Sequence, residues 1–294
     1  MVQSKVIPVG GGIQVRAVDP SIGAILMDAK KITTEQAEVV LRLQKEKGLR
    51  FGEAAIQLGI VSQADVDYAV ACQFDYSYLL PGQSEVSTNL VAAYSPFATQ
   101  VESLRALRSQ LMLRWFDGGP AHKVLALVSA ESQEGRSFIA SNLAVVFSQL
   151  GQHTLLIDAD MRKPSQHTLF GLENKAGLSG LLSGRAGHET VQRVPSLRDL
   201  SVLPAGVLPP NPQELLARPQ FSDALGELAA KFDVVLIDTP GATKYADAHS
   251  VAARAGGALI VVRKNSTRMA KARAVAEDLL NAKAAIVGTV INDF

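Results

Sequence analysis

The sequence predicts an α/β chain: a mainly parallel sheet flanked by helices, preceded by a small all-α repeat domain. Three observations lead there. From about residue 120, six short apolar runs alternate with helical segments: KVLALVS (123–129), TLLIDAD (154–160), LSVLPAG (200–206), DVVLIDTP (233–240), ALIVVRK (258–264) and AIVGTVIND (285–293). Near-continuous apolar strands of this kind belong to a parallel sheet covered on both faces. The acids Asp158, Asp160 and Asp238 stand at strand ends, where ligands of such sheets bind. The N-terminal part instead repeats itself at helical spacing.

At 294 residues the chain has room for two domains, each with a core of its own. Lys+Arg 29 against Asp+Glu 28 leaves no charge excess that would favour nucleic acid or an anionic membrane surface. With one cysteine, Cys72, no intramolecular disulfide can form, so a reducing cytoplasm is the expected location. The apolar runs have strand length, and MVQSKVIPVGGGIQV lacks the apolar middle of a signal peptide; direct membrane insertion is not expected.

The repeat lies in residues 15–80. IGAILMDAKKITTEQAEVVLRLQ (22–44) aligns with FGEAAIQLGIVSQADVDYAVACQ (51–73) at a constant offset of 29, pairing Gly23 with Gly52 and Thr33 with Ser62. Each copy reads as a short helix, a turn, and a Thr or Ser cap opening a second helix. Two such hairpins bury together the stripes that neither hides alone. Residues 81–100, within a stretch carrying Pro, Gly and Ser, read as a linker, and 101–294 as the second domain.

AESQEGRSF (130–138) follows the first strand run and opens a helix, the position of a phosphate-cradling P-loop. Gly135 and Ser137 fit the pattern G-x-x-x-x-G-K-[ST], but Ala130 and Arg136 replace its first glycine and its lysine. LLIDADMR (155–162) and VLIDTP (235–240) supply the acids. An acid at a strand end suits Mg²⁺, a hard cation that prefers oxygen ligands. Acids two apart on a strand project to one side, so one can orient metal while the other accepts a proton.

These motifs together resemble the bacterial protein tyrosine kinases of exopolysaccharide biosynthesis, of the chain-length-determinant EpsG type. The fourth point of resemblance is VESLRALR (101–108), which fits the family's ring-assembly motif through Glu102, Arg105 and Arg108; GLSGLLSGRAG, AGVLPPNPQELL and VIND add to it. The resemblance implies a P-loop NTPase fold, ATP and Mg²⁺ as cofactors, and transfer of the γ-phosphoryl group to tyrosine. It implies a partner too, an inner-membrane polysaccharide copolymerase (a chain length determinant protein) that would hold this cytoplasmic chain at the inner membrane. The implied outcome is control of polymer chain length and export. The second hairpin copy resembles the MshEN modules of secretion and pilus ATPases, some of which bind cyclic di-GMP; Arg50 and Gln73 are the candidate contacts, and a ligand-free docking module is the plainer reading.

By that resemblance the backbone of Ser132, Gln133, Glu134, Gly135, Arg136, Ser137 and Phe138 cradles the phosphates, with Arg136 against the β/γ oxygens. Ser137, Asp158 and Asp238 hold the metal. Asp158 and Asp160 divide the roles of metal partner and proton acceptor, in either order. Arg162 pairs with phosphate or an adjacent acid, and Asn292 reads the adenine edge. Two departures stand out. Gln133 brings a Cβ where relatives have glycine, at a cost of about 1–2 kcal/mol if the backbone is left-handed there. Arg136 offers a planar fork in place of a point charge, which keeps nucleotide binding but weakens positioning, with the rate falling ~100-fold. No tyrosine cluster closes the sequence; Tyr76, Tyr78 and Tyr94 are the candidate acceptors within it. Two readings stay open: an active or weak kinase, and a nucleotide-dependent oligomeric scaffold. A MinD/ParA-like partition ATPase is the more distant one, because Glu131 stands where those carry an early lysine.

Overall fold

The computed structural model describes residues 21–74, 78–80, 82, 84–119 and 122–293. Residues 15–20 of the expected helical module and Tyr76 lie outside them. The chain divides into two units, 1–75 and 76–294.

The first unit holds α1 (Ile22–Asp28), α2 (Thr34–Lys47), α3 (Phe51–Gln57) and α4 (Gln63–Gln73). The helices begin at matching points of the repeat, and Thr33 and Ser62 cap α2 and α4 with reciprocal bonds to Gln36 and Asp65. Ile25, Leu26, Val40, Ala54, Val66 and Ala69 form one shared core. Gly52 lies so close to α4 that a Cβ there would meet Val66 Cγ1 at 2.6 Å. The short-helix turns of the two copies adopt the same left-handed backbone, at Lys30 (φ 56°) and Gly59 (φ 66°).

The second unit opens with α5 (Val91–Tyr94) and α6 (Thr99–Arg114), then alternates: β1 (Val124–Ser129), α7 (Arg136–Ser148), β2 (Thr154–Asp158), α8 (Gln166–Phe170), α9 (Leu178–Leu182), β3 (Gln192–Arg193) and β4 (Leu200–Leu203). It continues through α10 (Pro212–Ala217), α11 (Pro219–Lys231), β5 (Val234–Asp238), α12 (Asp247–Ala255), β6 (Gly257–Arg263), α13 (Met269–Asn281) and β7 (Ala285–Asn292). The seven strands lie in the order β3-β4-β2-β5-β1-β6-β7. All pairings are parallel except β3 with β4 at one edge, a two-residue strand the sequence pattern did not signal. Side chains alternate across the sheet as strand geometry dictates. Val124, Ala126 and Val128 of β1 enter the core on one face, with Val235 and Ile237; Leu125 and Leu127 enter the other, with Leu236 and Phe147.

The expected linker over 81–100 is instead part of this unit. Leu90, Ala92 and Ala93 are fully buried in the second core. Buried Asn142 of α7 receives the Ala92 amide on Oδ1 (3.0 Å) and donates Nδ2 to the Asn89 carbonyl (3.3 Å). Gln149 Nε2 donates to the Ala92 carbonyl at 2.9 Å. Small apolar residues in a four-residue helix carry no readable periodicity, which is why Pro, Gly and Ser dominated the sequence pattern there.

Candidate functional site

β1 stops at Ser129 and α7 starts at Arg136; the six residues between them form the loop. Gln133 (φ 66°) and Gly135 (φ 87°) both take the left-handed backbone that turns amides inward, so the geometry survives the loss of a glycine at Gln133. No side chain caps α7 and no acid sits in its first turn, leaving its N-terminal amides available to an anion.

The loop is held from all sides. Thr243 donates its amide (3.0 Å) and hydroxyl (2.8 Å) to the Ala130 carbonyl. Buried Glu134 accepts the Glu131 amide at 2.9 Å and the Thr267 hydroxyl. Asn292 Nδ2 donates to the Glu134 carbonyl at 3.1 Å, so this amide braces the loop. Gly241 permits the turn after β5 to lie against it, since a Cβ there would stand 3.0 Å from Glu131 C and 3.1 Å from Ser132 N. Ser132 and Gln133 face solvent, while Phe138 packs on the core beneath.

β2 and β5 pair in parallel with Asp158 directly opposite Asp238. Asp158 is fully buried; Oδ1 accepts the Asp160 amide (3.1 Å), and Oδ2 accepts the amides of Ser165 (2.9 Å) and Gln166 (3.0 Å). Burial, then the Asp238 charge, pushes its pKa up to about 8, against the pull of the Gln166 and Ser165 amides. Burial also raises Asp160, whose Oδ1 accepts the Lys163 amide at 2.9 Å.

Arg136, expected against the β/γ oxygens, here commits its guanidinium to residues at the strand tips. Its side chain is buried, with Nε on Asp238 Oδ1 at 2.8 Å, Nη1 on Ser129 Oγ at 2.7 Å and Nη2 on Asp160 Oδ2 at 3.4 Å. The physical reason is charge: buried carboxylates demand a counter-charge, and a guanidinium spreads donors over two of them and a hydroxyl at once. Asp238 Oδ2 is also engaged, accepting Gln166 Nε2 at 2.7 Å. As arranged, the Asp158 and Asp238 carboxylates do not fit a hydrated Mg²⁺, because each of their oxygens already faces an N–H donor. Ser137 lies half-buried on the first turn of α7, next in sequence to Arg136.

Arg162 is engaged by an acid, one of its two expected roles. It forms a bidentate pair with buried Asp247 (Nε–Oδ2 2.8 Å, Nη2–Oδ1 3.3 Å) and lies 3.8 Å over the Tyr245 ring. It also lines a cavity of about 350 Å³ with Asn211, Gln213 and Glu214. On α6, Arg105 pairs with Glu102 and with the Tyr78 hydroxyl, while Arg108 Nη1 donates to the Val146 carbonyl at 2.7 Å. Among the described residues no cluster of three His, Cys, Asp or Glu side chains is arranged to hold a metal, and no helix is long and apolar enough to cross a membrane.

No family model matches the chain. It is 35% identical over 209 residues to the tyrosine-protein kinase YwqD of Bacillus subtilis, across 71% of this chain and 87% of that one. The chain belongs to the bacterial tyrosine-protein kinases. The putative family member EpsB of Ralstonia solanacearum is 31% identical over 303 residues, 99% of this chain but 40% of its own length. The kinase domain of the Escherichia coli tyrosine kinase ETK matches at a TM-score of 0.66 and 31% identity, over 69% of this chain and 79% of that one. The chimerical protein CapA2B2 gives 0.65 and 31%, over 76% and 97%. The septum site-determining protein MinD of Pyrococcus horikoshii, complexed with Mg-ADP, shares the fold alone at 22% identity and a TM-score of 0.51.

Within this kinase domain, sequence reading missed Gln166, Ser129 and Thr243. Gln166, fully buried, joins the two strand-tip acids through its backbone and side chain, yet in sequence it is an ordinary residue eight positions beyond Asp158. Ser129 carried a signal, as the hydroxyl that ends the strand before the loop.

Proposed function

We propose that this chain binds ATP in the 132–137 cradle and regulates exopolysaccharide chain length and export as a tyrosine-kinase-family protein. The observation that carries this reading is the open N-terminus of α7, whose first residue Arg136 reaches Asp238, the register partner of Asp158. A triphosphate at that point gains the helix dipole and several amide donors without any side-chain charge. If phosphoryl transfer to tyrosine occurs, Asp160 is the proton acceptor we assign. Burial raises both acids, Asp158 to about 8, but Asp160 is less buried and faces the guanidinium, whose charge favours its ionised form.

The partner we assign is an inner-membrane polysaccharide copolymerase, which would recruit the chain to the membrane. Ring assembly would use Glu102, Arg105 and Arg108, whose present partners lie within the same unit and would exchange for those of a neighbour. The helical hairpins serve docking. Calorimetry of the full chain with cyclic di-GMP should give no heat, and a saturable signal would reverse that assignment.

A second reading, a nucleotide-dependent scaffold with little catalysis, is favoured by one observation: the Arg136 guanidinium is committed to Asp238, Ser129 and Asp160. Labelled ATP incubated with the parent, Arg136→Lys and Asp160→Ala separates the two. Label on the parent and on Arg136→Lys, lost in Asp160→Ala, supports the kinase. Label on Arg136→Lys alone supports the scaffold. Absence of nucleotide binding in every version defeats both.

A further inference from the structure

The Arg136 guanidinium occupies the centre of the acid cluster. Resting on the nucleotide-binding reading above, we infer that Arg136 is a built-in cation, and that the loop takes up a nucleoside di- or triphosphate without requiring a divalent ion. Arg136 is 5% exposed and reaches Asp238, Ser129 and Asp160 with three different nitrogens. Gln166 and backbone amides hold the remaining carboxylate oxygens of Asp158 and Asp238. A hydrated Mg²⁺ ion needs oxygen ligands in near-octahedral array, and here the Asp158 and Asp238 oxygens already serve N–H donors.

An ion taking Asp238 Oδ1 as a ligand would displace the guanidinium, which would then sit in a buried place with only Asp160 as an anionic partner. An arginine keeps its charge at any accessible pH, so the resident cation cannot be removed by titration. The phosphates then meet amides and helix dipole, with the acids behind them already neutralised. A lysine at the same position is a compact point charge and cannot bridge the three oxygens together. Arg136→Lys therefore opens Asp238 to a metal.

The test is calorimetric affinity for ATP and for ADP, measured with excess Mg²⁺ and again with EDTA, on the full parent chain and on Arg136→Lys. The parent's dissociation constants should agree within about threefold between the two conditions, while Arg136→Lys should tighten with Mg²⁺ by about tenfold or more. A parent that tightens about tenfold with Mg²⁺ overturns the inference whatever the variant does. An Arg136→Lys protein as indifferent to Mg²⁺ as the parent overturns the assignment to the guanidinium. If the variant does not fold, the parent's two measurements decide alone. No binding to the parent in either condition overturns the nucleotide-binding reading itself, a different result from Mg²⁺-dependent binding.

Discussion

Lys30 in the helical repeat and Gln133 in the phosphate loop occupy the same kind of position. Each stands where a glycine is expected, at Lys30 by comparison with Gly59 of the second hairpin, and each keeps the left-handed backbone (φ 56° and 66°). In the hairpin that is the end of the matter: Lys30 makes the same turn as Gly59, and the shared core forms regardless. In the loop the backbone survives equally well, yet the site differs, because Arg136 three residues on has rearranged the charges around it. Backbone demands are cheap to violate at about 1–2 kcal/mol per residue, whereas the placement of a buried charge controls larger energies.

That contrast can be broken most forcefully at Asp238. Asp238→Ala leaves Arg136 buried with only Asp160 as an anionic partner, and should lower the stability of the α/β unit by about 3–5 kcal/mol in urea unfolding. A loss below about 1 kcal/mol would mean that the buried pair matters no more than a surface one.

Gly241→Ala tests backbone against charge within the site itself. The added Cβ presses on Glu131 and Ser132, so nucleotide affinity should fall about tenfold while the thermal midpoint hardly moves.

The acids give a pH signature. Asp158 is raised from 3.8 to about 8, so the stability it contributes is full below pH 3.8 and disappears as pH rises through about 8. Asp158→Asn should flatten the dependence of the thermal midpoint between pH 5 and 8.5, by a few degrees, on the order of 2–4 °C per kcal/mol removed.

The smallest effects belong to the left-handed turns. Lys30→Gly and Gln133→Gly should each change stability by no more than about 1 kcal/mol, since relief of strain is offset by a freer unfolded chain. A larger loss in Gln133→Gly would show that the glutamine side chain holds the loop.

Much of this architecture was legible beforehand, for particular reasons. β1, β2 and β5 are buried on both faces and so read as continuous apolar runs, with acids at their tips. The 29-residue offset gave both hairpins. The left-handed backbone at Gln133 was posed only as a condition and is met at φ 66°. What stayed hidden depends on non-local packing. The direction of Arg136 is decided by Asp238 and Asp160, which reach it only through the sheet, and Gln166 acquires its role only once α8 places it between two strands. Residues 84–98 look like a connector in sequence because their burial comes from α7 and not from their own periodicity.

The grip on α7 has a mechanical consequence. This helix starts at the phosphate loop and runs 13 residues, about 20 Å. Along its length Asn142 and Gln149 clasp the strand of chain around Ala92, and Arg108 of α6 reaches the Val146 carbonyl. A rigid rod fastened at such points cannot tilt at one end in isolation. A displacement of its first turn would therefore be felt at α6, which is fastened to it by Arg108.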